Sequence, residues 1–127
     1  MTPGFIVRPA AEAEIAEAAQ WYESRSLGLG ADFLRAVDVC FSEIQRTPDR
    51  FPQVYRHARK ALLRRFPYAT YFVSTPTVIR VVACMHVKRD PRRWQRQVFG
   101  LTYSGSVLLG IIVLAAERPA PSSLTLP

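Results

Sequence analysis

The four residues LGLG at 27–30 interrupt two stretches that repeat apolar residues at helical spacing, and that interruption decides the fold. Upstream, Ile15, Ala18, Ala19 and Tyr22 share one face, which predicts an amphipathic helix from Pro9 to about Ser26. Pro9 suits a first helical turn, and Glu12, Glu14 and Glu17 complement the positive end of the helix dipole. Downstream, Phe33, Val37, Phe41 and Ile44 predict a second helix over about 31–46, which TPD at 47–49 stops. With so short a turn between them, the two helices are expected to form an antiparallel hairpin.

Outside the hairpin the pattern is that of strands. FIVR at 5–8, closed by Pro9, reads as an opening strand. ARKALLRRF at 58–66 predicts a strand with Leu62, Arg64 and Phe66 on one face and Ala61, Leu63 and Arg65 on the other. ATYFVS at 69–74 predicts the next strand, and Pro76 a turn. Over 78–88, alternation predicts Ile79, Val81, Ala83 and Met85 on one side, and Val78, Arg80, Val82, Cys84, His86 and Lys88 on the other. The order is β-α-α-β-β-β. It predicts an α+β fold, a small antiparallel sheet with a helical hairpin packed on one face, followed by an atypical apolar C-terminal tail.

A chain of 127 residues with 49% apolar content is sized for one domain with a core, which excludes wholesale disorder. Cys40 and Cys84 fall in different predicted elements without metal-ligand spacing, and with two histidines no metal or other cofactor is expected. The amino terminus turns acidic at once and lacks the basic-then-apolar architecture of a signal, so a cytoplasmic location is the expectation.

Charge is unevenly distributed. Residues 1–49 carry a balance of −4, residues 50–98 a balance of +11, and residues 99–127 a balance of zero. Fifteen of the seventeen cations are Arg, which favours forked contacts with phosphate or carboxylate over diffuse ammonium charge. The densest part is HVKRDPRRW at 86–94, four Lys or Arg and one His leaving the last strand. That edge suits a polyanion or an acidic protein partner. The stretch 98–116 has no charge and ends in VLLGIIVLAA at 107–116. It is expected to pack as a strand or helix or to meet a partner, with a membrane span as the alternative, since its length is near the lower limit for one.

The words WYE at 21–23, GLG at 28–30, FP at 51–52, ALLRRFPY at 61–68, VIRV at 78–81 and RDPRRW at 89–94, in this order, resemble the RelE/ParE superfamily of toxins. These are small cytoplasmic proteins of bacterial type II toxin–antitoxin pairs. The resemblance covers about residues 5–98, which implies a toxin domain at 1–98 and an apolar extension at 99–127. It also implies a cognate antitoxin as partner. RelE-like members are described as ribosome-dependent mRNA endonucleases that use Arg, Lys and a terminal aromatic or His without a metal. ParE-like members are described as inhibitors of DNA gyrase.

Carried over by position, Lys88 and Arg89 match the basic pair after the last strand, Arg64 and Arg65 the basic positions on the preceding strand, and Trp94 a nuclease tyrosine. His86, Arg89 and Arg65 are the expected catalytic residues if the chain is a nuclease; Arg64, Lys88, Arg92, Arg93 and Trp94 are the expected contacts with target or antitoxin. Two departures tilt the expectation towards the gyrase mode. Ala69 stands where nuclease members place an Arg after the tyrosine, and Trp94 can donate a hydrogen bond but cannot trade protons as a phenol can. The alternatives are a ribosome-dependent mRNA endonuclease and a degenerate nucleic-acid-binding module without toxicity.

Overall fold

The structure is a computed structural model that describes residues 3–102. Strand β1 is Gly4–Val7, helix α1 Pro9–Arg25 and helix α2 Leu29–Arg46; a 3-10 turn covers Pro48–Arg50. Strands β2 (Gln53–Tyr55), β3 (Ala58–Leu62), β4 (Tyr68–Ser74) and β5 (Val78–His86) follow, then helix α3, Pro91–Thr102. The five strands form one sheet in the order β1-β5-β4-β3-β2. Its pairings are antiparallel except that β1 runs parallel to β5, because the hairpin crosses over between them, so the sheet is mixed rather than wholly antiparallel.

The α1–α2 turn shows why LGLG stands there. Gly28 has φ 88°, a conformation that side chains with a Cβ rarely adopt. At Gly30 an added Cβ would lie 2.6 Å from the Ala19 carbonyl oxygen, so the two helices cross too closely for any other residue. Glu23 closes the turn: its two carboxylate oxygens accept the N–H groups of Gly28 and Gly30, each at 2.9 Å. The amino end of α2, whose own cap residue has no side chain, is thereby satisfied from α1.

Ala11, Ile15, Ala18, Phe33, Val37 and Ile44 bury the hairpin against Phe72, Ile79 and Val81 of the sheet. Tyr22, Phe33, Phe66 and Tyr68 form a ring cluster, with Phe33 in contact with each of the other three at 5.1–5.3 Å. This cluster ties the hairpin to the bend between β3 and β4. A second core lies on the opposite face of the sheet, where Trp94 and Val98 of α3 cover Tyr71, Val82, Ala83 and Met85.

Three local expectations are corrected. β3 ends at Leu62, so Arg64 and Arg65 sit in a bend rather than alternating along a strand, and Arg65 takes φ 74°. The pairing of β5 with β4 slips between Tyr71 and Phe72, leaving Val82 as an extra residue. Such a bulge inverts the alternation. Ile79 and Val81 face the hairpin as expected together, but Ala83 and Met85 join the second core while Cys84 faces the hairpin. The basic run after β5, expected to leave directly from the strand end, instead opens a helix. The apolar stretch at 107–116 lies outside the described residues, and no helix among those described is long and apolar enough to cross a membrane.

Candidate functional site at the basic sheet end

Asp90 and Pro91 start α3. The Asp90 carboxylate accepts the Arg92 N–H at 3.0 Å, its carbonyl accepts the Arg93 N–H at 2.9 Å, and proline occupies the first helical position. Periodicity then sorts the side chains of the helix into three faces. Trp94 and Val98 are buried on the sheet, Arg93 and Gln97 are half-buried, and Arg92 and Arg96 are exposed. Arg92 is already engaged, its guanidinium holding the Asp90 carboxylate at 2.9–3.3 Å. That contact keeps the Asp90 carboxyl below its ordinary range.

His86, Lys88 and Arg89 occupy the turn between β5 and α3. The His86 ring meets the Tyr68 ring edge-on at 5.4 Å, and its Nδ1 accepts the Lys88 N–H at 3.1 Å. Burial, with Lys88 and Arg89 adding to it, lowers the His86 pKa below 6.5. A neutral ring whose Nδ1 accepts a hydrogen bond carries its proton on Nε2, so in this geometry neither nitrogen offers a free lone pair. The Tyr68 hydroxyl is buried with no hydrogen-bond partner among the described residues, and burial pushes its pKa up.

The other expected site residues lie elsewhere or are covered. Arg65 pairs with Asp32 of α2 at 3.7 Å, and its guanidinium lies over Phe66. Arg64 pairs with Glu43 of α2 at 2.6 Å. No contact of either reaches His86 or Arg89. Trp94 is 7% exposed, stacked flat on Tyr71 at 4.1 Å with Tyr55 at its edge, so it supports the arginines around it and shows little surface to a partner.

Sequence reasoning passed over Glu14 and Gln97. The Glu14 carboxylate accepts the Cys84 N–H at 2.9 Å, and the Gln97 amide donates to the Val82 carbonyl at 2.6 Å and also reaches Glu14. Burial drives the Glu14 pKa up to about 7, although Cys84, Arg93, Gln97 and Arg89 all act to lower it. The arrangement as a whole is a cationic edge built on a rigid helix and strand end, suited to contact with phosphate or carboxylate groups.

No family model matches the chain, and no curated protein matches it in sequence. Among solved structures, the chain is similar to one described as the chromosomal ParDE TA system from P. aeruginosa. The TM-score is 0.50 at 16% identity, over 65% of this chain and 94% of that one. The likeness is one of fold.

Proposed function

We propose that this chain is the toxin of a type II toxin–antitoxin pair that arrests growth in the ParE-like manner, through DNA gyrase, and is neutralised by a cognate antitoxin. Support for the pairing comes from the fold likeness to the ParDE chain and from the sequence words quoted above. The single observation that favours gyrase over mRNA is the dispersal of the nuclease residues: Arg65 is held by α2, Trp94 is buried, and His86 has no free lone pair. Cleavage beside a 2′-hydroxyl needs a proton acceptor and a cation at one phosphate.

On this reading Lys88, Arg92 and Arg93 form the contact surface where β5 passes into α3, with Arg64 a separate contact beside α2. An acidic antitoxin segment would exchange the exposed Arg92–Asp90 pair for its own carboxylates at little cost, because water screens an exposed pair. The test is induction of the chain followed by a comparison of transcript ends with gyrase–DNA adducts. Intact transcripts with trapped gyrase are expected, and unchanged arrest in Arg65→Ala. Ribosome-dependent cuts lost in His86→Ala would overturn the gyrase reading in favour of the endonuclease.

A further inference from the structure

At the end of the sheet away from the cationic edge, a cavity of about 320 Å³ lies between the β2–β3 hairpin and the β4–β5 turn. Strand β4 begins at Tyr68, paired with His86, and ends at Ser74, paired with Ile79, so about 20 Å of strand separates the cavity from the basic run. Gln53, His57, Arg59 and Ser74 supply its polar wall, and Val73 and Pro76 its apolar one. The register explains this gathering. Gln53 pairs with Arg59, and one step past the last β3–β4 pair, Ala58 with Val73, His57 comes opposite Ser74. Alternation then lets His57 and Arg59 share a face.

Arg59 is a fixed cation. Its Nη1 donates to the Phe51 carbonyl at 2.5 Å and to the Asp49 carbonyl at 3.3 Å. Held in this way, it keeps the Nε and Nη2 donors for a ligand. The Asp49 carboxylate stands 3.8 Å from Nη2 but is itself 93% exposed, so water screens it. Among the described residues no Asp or Glu lines the cavity. The β4–β5 turn is fixed as well, because the Thr75 hydroxyl donates to the Val78 carbonyl at 3.0 Å and accepts the Val78 N–H at 3.1 Å. The Gln53 amide, the Ser74 hydroxyl and the His57 ring each bring a further donor. A fixed guanidinium ringed by donors selects an oxyanion, and the apolar wall leaves room for an organic group beside it. We propose that this cavity binds a small organic phosphate, with its phosphoryl oxygens on Arg59, His57 and Ser74 and its organic part against Val73 and Pro76. Such a ligand ties the β2–β3 hairpin to the β4–β5 turn and stabilises the fold by mass action. The inference uses no residue of the basic edge and does not depend on the gyrase reading.

The test titrates phenyl phosphate into the 15N-labelled full chain at fixed ionic strength and follows the backbone amide resonances. Saturable shifts confined to residues 53–59 and 73–75 are expected, with half-saturation below about 1 mM. His57→Ala and Ser74→Ala are each expected to raise that concentration at least about five-fold, since each removes a hydrogen bond to a charged oxygen. Arg59→Gln is expected to abolish saturation; if it fails to fold, the other two variants decide. A flat titration, shifts centred on residues 86–93, or parent affinity in both His57→Ala and Ser74→Ala would overturn the proposal. So would equal affinity for phenol or benzoate, which lack the phosphoryl group. Tighter occupation of the same residues by a short single-stranded oligonucleotide would also overturn it, making the cavity a nucleic-acid contact instead.

Discussion

Gly30 and Glu14 are the two positions where a single side chain controls most. At Gly30 a methyl group would sit 2.6 Å from a backbone oxygen that cannot move without shifting α1. Gly30→Ala is therefore expected to destabilise the chain by about 1–3 kcal/mol, seen as a lower urea midpoint with an unchanged slope. Glu14 makes stability depend on pH. Its pKa is about 7 in the fold against 4.5 as a free side chain, so the folded state holds the extra proton between those values. Its contribution is complete below about pH 4.5 and is lost as pH rises through about 7, a fall of order 3 kcal/mol. His86, whose pKa is lowered, contributes in the opposite sense near its own pKa, so the difference between the parent and Glu14→Gln isolates the carboxyl. Unfolding free energies of the two proteins are expected to lie closest below about pH 4.5 and to diverge by about 3 kcal/mol as pH rises through about 7, the His86 contribution cancelling in the difference. The role of Gly30 as a break was legible, because glycine beside a periodic stretch signals a turn. That of Glu14 was not, since its partners are about seventy and eighty residues away in sequence and nothing local marks it.

α1 and α2 were legible because each has one buried face, and the period of that face is written in the apolar residues; the middle strands, buried on both faces, were legible as apolar runs bounded by turn residues. α3 was missed for a physical reason: RDPRRWQRQV presents charge on most of its circumference, and among the described side chains only Trp94 and Val98 are buried in the core. The signal that finds it is Asp90–Pro91, a helix cap followed by a residue preset for the first turn. Asp90→Ala is expected to cost about 1 kcal/mol and to raise the quenching of Trp94 more than that of Trp21, because it frays α3 and leaves α1 intact. The bulge at Val82 was also hidden, since VIRVVACM offers apolar residues in both phases and only the pairing with Tyr71 and Phe72 shows where the phase changes. A consequence for the site is that Cys84 and His86 lie on the hairpin face together with Ile79 and Val81, whereas strict alternation puts them on the opposite face.

Taken whole, the molecule is a mixed sheet between a helical hairpin and a shorter helix, with its cations gathered at the sheet end where β5 passes into α3. The sequence words that resemble the toxin superfamily are mostly structural in it. Glu23 and the two glycines close the hairpin, Tyr22, Phe66 and Tyr68 form the ring cluster, and Asp90, Pro91 and Trp94 start and seat α3. That explains why they announce a fold more clearly than a target. A fold hosts many activities, and the choice between gyrase and mRNA rests on the few side chains around His86. The most direct measurement is a supercoiling reaction with purified gyrase, the full chain and relaxed plasmid, run beside translating ribosomes with labelled mRNA. The account predicts loss of supercoiling with cleaved DNA accumulating on gyrase, and uncut mRNA. Unimpaired supercoiling together with ribosome-dependent mRNA cleavage would contradict it.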